Sequence, residues 1–110
     1  MSFHRQEKLA SIYQEVISAF LERELKVQDG IFSVTGVEVG EKLDRVKIYF
    51  SVWPDREEKN VLKSLEDLKK ELRAHLAEKV KTKFVPEIEF RLDESEKRRL
   101  EIEKLLKKNK

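Results

Sequence analysis

The sequence predicts an α+β fold in one domain, running helix, strand, strand, long helix, strand, terminal helix. Three observations predict it. Apolar residues recur every three or four positions from about 4 to 26 and again from about 56 to 82. Between 31 and 53, and from 85 to 93, the period shortens towards two. Gly30, Pro54 and Pro86 stand at the changes of period, where backbone punctuation belongs.

The first helix is expected from about His4 to Lys26, with Leu9, Ile12, Tyr13, Val16, Ile17, Phe20 and Leu25 on its apolar side. Asp29-Gly30 stops it. Ile31 to Val39 is rich in β-branched residues and reads as a strand. After the polar turn at Gly40-Glu41-Lys42-Leu43-Asp44, Val46, Ile48, Phe50 and Val52 face one way, while Lys47, Tyr49, Ser51 and Trp53 face the other. These two strands should form an antiparallel hairpin. Trp53 is expected to cover one edge of the sheet, the more common role for a large ring beside a turn than base stacking.

Pro54 holds Trp53 in extended geometry, and Asp55 is placed to cap a long helix from Arg56 to about Thr82. That stretch carries Val61, Leu62, Leu65, Leu68, Leu72, Leu76 and Val80, without glycine or proline. From Val85 to Asp93 alternation returns, with Ile88, Phe90 and Leu92 inward. Pro86 cannot donate to a ladder and so belongs at the start or edge of this strand. Asp93-Glu94-Ser95 opens a terminal helix for which Leu100, Leu105 and Leu106 are the expected anchors. Two amphipathic helices then cover one face of a three-stranded sheet. The expected division is a domain over 1–96 followed by a basic helix or tail over 97–110.

Among the 110 residues, 39% are hydrophobic and 42% are charged, so one modest core should carry a densely charged surface. Cysteine is absent, which excludes disulfides and thiolate chemistry. The start lacks the apolar stretch of an export signal, and no apolar run is long enough to span a bilayer, so a cytoplasmic, membrane-free monomer is expected. His4 and His75 are joined by no metal-binding or catalytic spacing; His75 reads as a boundary residue of helix packing. The three glycines build no phosphate loop. Neither catalysis nor a cofactor or metal is expected.

The net charge of +2 conceals an asymmetry. Lys69, Lys70, Arg73, Lys79, Lys81 and Lys83 face only Glu71 and Glu78 within their stretch, and Lys97, Arg98, Arg99, Lys104, Lys107, Lys108 and Lys110 face only Glu101 and Glu103. A single lysine-rich helix is usually just a solvated face. Two basic stretches in an otherwise acidic chain point to a polyanionic partner.

The element order is also that of a type II KH domain, and particular motifs narrow the likeness. Val34-Thr35-Gly36-Val37-Glu38-Val39 followed by Arg45-Val46-Lys47-Ile48-Tyr49-Phe50-Ser51 resembles the hairpin of the ribosome-binding factor A family. Lys79-Val80-Lys81-Thr82-Lys83-Phe84-Val85-Pro86-Glu87-Ile88-Glu89-Phe90 is similar to that family's helix-to-strand passage, and Asp93-Glu94-Ser95 with Ile102 to Leu106 is similar to its last motif. The resemblance implies a non-catalytic assembly factor that binds the free 30S subunit and 16S rRNA late in maturation, assists 5′-end processing and serves in cold adaptation. It also implies a break in the long helix, where the family has an Ala-x-Gly kink. Here Leu68-Lys69-Lys70 stands in its place, and an interruption is still expected between Asp67 and Glu71.

On that reading, Lys69, Lys70 and Arg73 meet rRNA backbone at the bend, and Lys79, Lys81 and Lys83 extend the contact. Arg5 and Lys8 join from the first helix, and Arg45 and Lys47 are secondary candidates on the hairpin. Charge reversal at Lys69, Lys70 and Arg73 is expected to leave thermal unfolding nearly unchanged. The terminal basic helix offers a second contact, to RNA or to a ribosomal protein. The alternative is a KH-like protein-interaction module without RNA contact.

Overall fold

The computed structural model describes residues 2–108, leaving Met1 of the expected domain and Asn109 and Lys110 of the expected tail outside the described residues. The His4 side chain lies outside them too. Helix α1 spans Ser2–Glu24, strand β1 Ile31–Val39 and strand β2 Arg45–Trp53. Helix α2 spans Glu58–Lys79, strand β3 Glu87–Leu92 and helix α3 Ser95–Lys108. The sheet order is β1-β2-β3. β1 and β2 are antiparallel, whereas β3 lies parallel to β2, because the chain returns through α2 before adding its last strand. The result is the α+β, KH-like architecture that the element order predicts.

One sheet face is dry. Val46, Ile48, Phe50 and Val52 of β2 and Ile88 and Phe90 of β3 are buried against Tyr13, Ile17, Phe20 and Leu21 of α1 and Val61, Leu65, Leu72 and Leu76 of α2. The strands donate every second side chain and the helices every third or fourth, so both periods converge on one layer. His75 packs its ring against Phe20, with centroids 5.1 Å apart, at the boundary between the two helices. The opposite sheet face is open and charged; Tyr49 donates to Glu38 at 2.8 Å across it.

The long helix departs from expectation. α2 is unbroken across 67–71, and its buried positions Val61, Leu65, Leu72 and Leu76 form one stripe with Leu68 between them. Leu68-Lys69-Lys70 contains no helix-breaking residue, and a continuous apolar stripe holds both halves of the helix to the same layer. Asp55 also differs: it lies in a short 3-10 turn over Asp55–Glu57, and no side chain caps the first residue of α2.

Two apolar expectations are corrected. Leu100, Leu105 and Leu106 are exposed rather than anchoring, and α3 is tied down at its root by Lys97, whose ammonium lies 2.5 Å from Glu58 and 3.5 Å from Asp55. Trp53 is 68% exposed rather than packed over the sheet edge; its cross-strand partner Ile31 is exposed as well. Both point to the open face of the sheet, in alternation with Phe32 and Val52, which turn towards the core. The projection of α3 gives a radius of gyration of 16.0 Å, against about 13 Å for a compact chain of this length.

Candidate nucleic-acid interface

Three segments meet at the end of the sheet opposite Trp53. The start of α1 is tied there by Gln6, whose side-chain amide donates to the Val39 carbonyl at 3.0 Å. The β1–β2 turn closes through Gly40 and Arg45, with Leu43 at a φ of 60°, an uncommon value for a branched side chain. The loop after α2 is held by Arg73, which donates to the carbonyls of Pro86 at 3.0 Å and Val85 at 3.3 Å. Within that loop the Thr82 hydroxyl donates to the Phe84 carbonyl at 2.8 Å.

Between these segments lies a groove of about 590 Å³. Arg5 and Lys8 line it from α1, Lys42 from the turn, and Lys81 and Lys83 from the loop; Leu9, Ile12, Leu43 and Phe84 form its apolar surface. No carboxylate lines it among the described residues. Arg5, Lys8, Lys42, Lys81 and Lys83 make no ion pair with any described residue. Five uncompensated cations around a concavity focus a positive potential there. Burial raises the pKa of the Tyr13 phenol, whose hydroxyl closes no hydrogen bond among the described residues.

The fold therefore brings together Arg5, Lys8, Lys81 and Lys83 from the sequence-predicted set and leaves the others elsewhere. Lys69 pairs with Glu66 at 2.6 Å and lies over the Phe90 ring. Arg73 is engaged with two carbonyls and stands 3.6 Å from Glu87, so its role is to brace the loop. Charge reversal there would break the loop's support, contrary to the expected silent effect on unfolding. Lys70 and Lys79 are exposed on α2, outside the groove. Arg45 and Lys47 lie on the open sheet face, where Lys47 is in register with Glu38 and Glu89, and Arg45 with Glu87. Carboxylates therefore stand on the strands beside both cations.

The sequence profile of ribosome-binding factor A matches residues 5–106. The chain belongs to the ribosome-binding factor A family. A ribosome-binding factor A of Halothermothrix orenii is 37% identical over 110 residues, covering 98% of this chain and 90% of the relative. One from Natranaerobius thermophilus is 36% identical over 109 residues, covering 97% and 83%. The crystal structure of ribosome-binding factor A from Thermus thermophilus superposes with a TM-score of 0.68 at 20% identity, covering 79% of this chain and 93% of that one. Coordinates of the T. thermophilus factor fitted into a cryo-EM map of a 30S–RbfA complex superpose with a TM-score of 0.55 at 21% identity, covering 72% and 93%. At these identities the structural likeness speaks to fold.

Within that family fold, sequence reasoning missed Lys42, Leu43, Phe84 and the apolar floor. Lys42 and Leu43 sit in a turn whose composition reads only as polar punctuation, and Phe84 sits in a basic run that hides it. The detectable signal was the aromatic at the end of Lys81-Thr82-Lys83, since basic residues interleaved with an exposed ring are a common nucleic-acid pattern. Among the described residues, no group of three or more metal-binding side chains occurs, and no helix is long and apolar enough to cross a membrane.

Proposed function

We propose that this protein is a cytoplasmic, monomeric and non-catalytic assembly factor that binds the free 30S subunit through its cationic groove. The observation that carries the reading is the convergence of five unpaired cations at one end of a ribosome-binding factor fold. The T. thermophilus factor fitted within a 30S complex supports the same partner. Arg5, Lys8, Lys42, Lys81 and Lys83 meet 16S rRNA phosphates, with Lys70 and Lys79 as peripheral contacts. In this reading residues 1–96 form the KH-like unit and 97–110 a basic appendage. Binding serves late subunit maturation and 16S rRNA 5′-end processing, with the greatest need in the cold.

The test is co-sedimentation with separated ribosomal particles at low and moderate salt. Salt-sensitive binding to 30S and not to 70S is expected. Reversing Arg5, Lys8, Lys81 and Lys83 to glutamate should abolish it and leave the melting temperature unchanged. Loss of each phosphate contact lowers the slope of log affinity against log salt by about 0.7–0.9. Equal binding by the quadruple variant would remove the groove from the interface.

A second reading, a module that docks on a protein, is favoured by one observation. Ile31, Trp53, Leu100, Ile102, Leu105 and Leu106 are exposed apolar residues on the sheet end and helix remote from the groove. It predicts binding that survives high salt and is lost in Leu105→Ser and Leu106→Ser variants.

A further inference from the structure

We propose that the groove holds a single unpaired nucleotide of the rRNA, its base packed on Phe84 and its flanking phosphates met by Lys8, Lys81 and Lys83. This rests on the reading of the groove as an RNA contact and specifies what RNA enters it. A surface that met only duplex backbone would need cations and no apolar floor. Here an apolar wall, including the Leu9 and Ile12 side chains, lies among the cations, and Phe84 is 62% exposed. The ring is presented rather than left loose: Thr82 fixes its carbonyl, Arg73 fixes the next two, and the Lys83 ammonium lies 5.4 Å from its centroid.

A loop already ordered loses little entropy on binding. The volume, about 590 Å³, falls within the roughly 300–1,000 Å³ of clefts that hold a small ligand. An A-form helix keeps its bases inside the stack and cannot offer one to a concave apolar wall, whereas an unpaired residue can be splayed out onto an aromatic ring. A peptide carries charge less densely than RNA, so five uncompensated cations favour phosphate.

The experiment measures affinity for purified 30S subunits, its salt dependence, and base-specific chemical probing of the 16S rRNA, for the wild type, Phe84→Ala, Phe84→Trp and the pair Lys81→Glu with Lys83→Glu. Phe84→Ala should weaken binding about tenfold with the salt slope unchanged, and should remove protection of an unpaired base that the wild type protects. Phe84→Trp should restore both. Unaltered binding by Phe84→Ala, with weakened binding by the lysine pair, would overturn the nucleotide pocket and leave the groove as a backbone contact. Unaltered binding by all variants would overturn both readings. A loss of affinity by Phe84→Ala with no change in base reactivity would assign the ring to a protein contact and overturn the proposal.

Discussion

Arg73 shows how a side chain of the right charge can serve the fold. Its guanidinium presents donors in a fixed plane, and two of them meet consecutive carbonyls of the loop that carries Phe84. Replacement by methionine should cost about 1.5–3 kcal/mol, as for hydrogen bonds to a charged group, measured by urea denaturation. Lysine should not restore the loss, since one ammonium on a flexible stem cannot reproduce the fork. Gly30 and Gly36 offer a second residue-scale contrast. A Cβ at Gly30 would stand 2.4 Å from the Trp53 carbonyl oxygen, a backbone atom that cannot move aside cheaply, while one at Gly36 meets nothing within 4 Å. Gly30→Ala is therefore expected to destabilise by about 1–3 kcal/mol. Gly36→Ala should leave stability within about 1 kcal/mol of the wild type, through its effect on the unfolded chain. Equal melting temperatures for the two variants would contradict this.

At the scale of elements, α3 differs from α1 and α2. The latter are held by apolar stripes, whereas α3 is held at its root by polar contacts and exposes its leucines. Asp93 accepts from the Ser95 hydroxyl and, at 3.0 Å, from the Ser95 amide, so its side chain caps the helix. The Ser95 hydroxyl, with Thr35 and the Ser95 amide, lowers the Asp93 carboxyl below its ordinary range. A folded pKa below the unfolded one gives a contribution present at neutral pH and lost as pH falls through the folded value. Glu58, and secondarily Asp55, raise Lys97 above the ordinary lysine value. That contribution is present below the unfolded lysine value and lost as pH rises through the folded one. The root of α3 should thus be indifferent to pH between these limits and loosen at either extreme, as followed by the amide shifts of Ser95 and Lys97 in NMR. Lys97→Met should remove the alkaline step and keep the acidic one.

The whole molecule is polarised. The cationic groove lies at the sheet end near the β1–β2 turn, while Trp53, the start of α2 and the root of α3 lie at the other, within principal extents of 55 × 37 × 17 Å. The groove and the exposed apolar residues Ile31, Trp53 and Leu100 are thereby kept at opposite ends, and variants in one should leave the other intact. Small-angle scattering should return a radius of gyration near the 16.0 Å of the extended form. A value near the roughly 13 Å of a compact chain would mean that α3 folds back over Trp53 and Ile31.

Element order, strand faces and most of the core were legible in the sequence because each depends on local period: Val46 to Val52 alternate, and Val61 to Leu76 step by turns; the exceptions are Leu21, buried but not among the expected positions, and Ile12 and Leu62, expected on the apolar sides but exposed. A concentration of positive charge was legible too, in the bunching of lysines. Which lysines line the groove was not. Lys69 and Arg73 have the same charge as Lys81 and Lys83, and only the packing of α2 on β3 commits the first two to Glu66, Phe90 and backbone carbonyls. The groove joins Arg5, Lys42 and Lys83, which are far apart in sequence, so no local pattern could assemble it. The kink failed for a related reason. A family motif marks where a helix bends only when its residues weaken the helix, and Leu68-Lys69-Lys70 continues both the hydrogen bonds and the apolar stripe. By itself the sequence determined periodicity and total charge, which are local or additive. Tertiary structure alone decided which charges remain unpaired and which apolar side chains stay in water, because those depend on what long-range packing brings alongside.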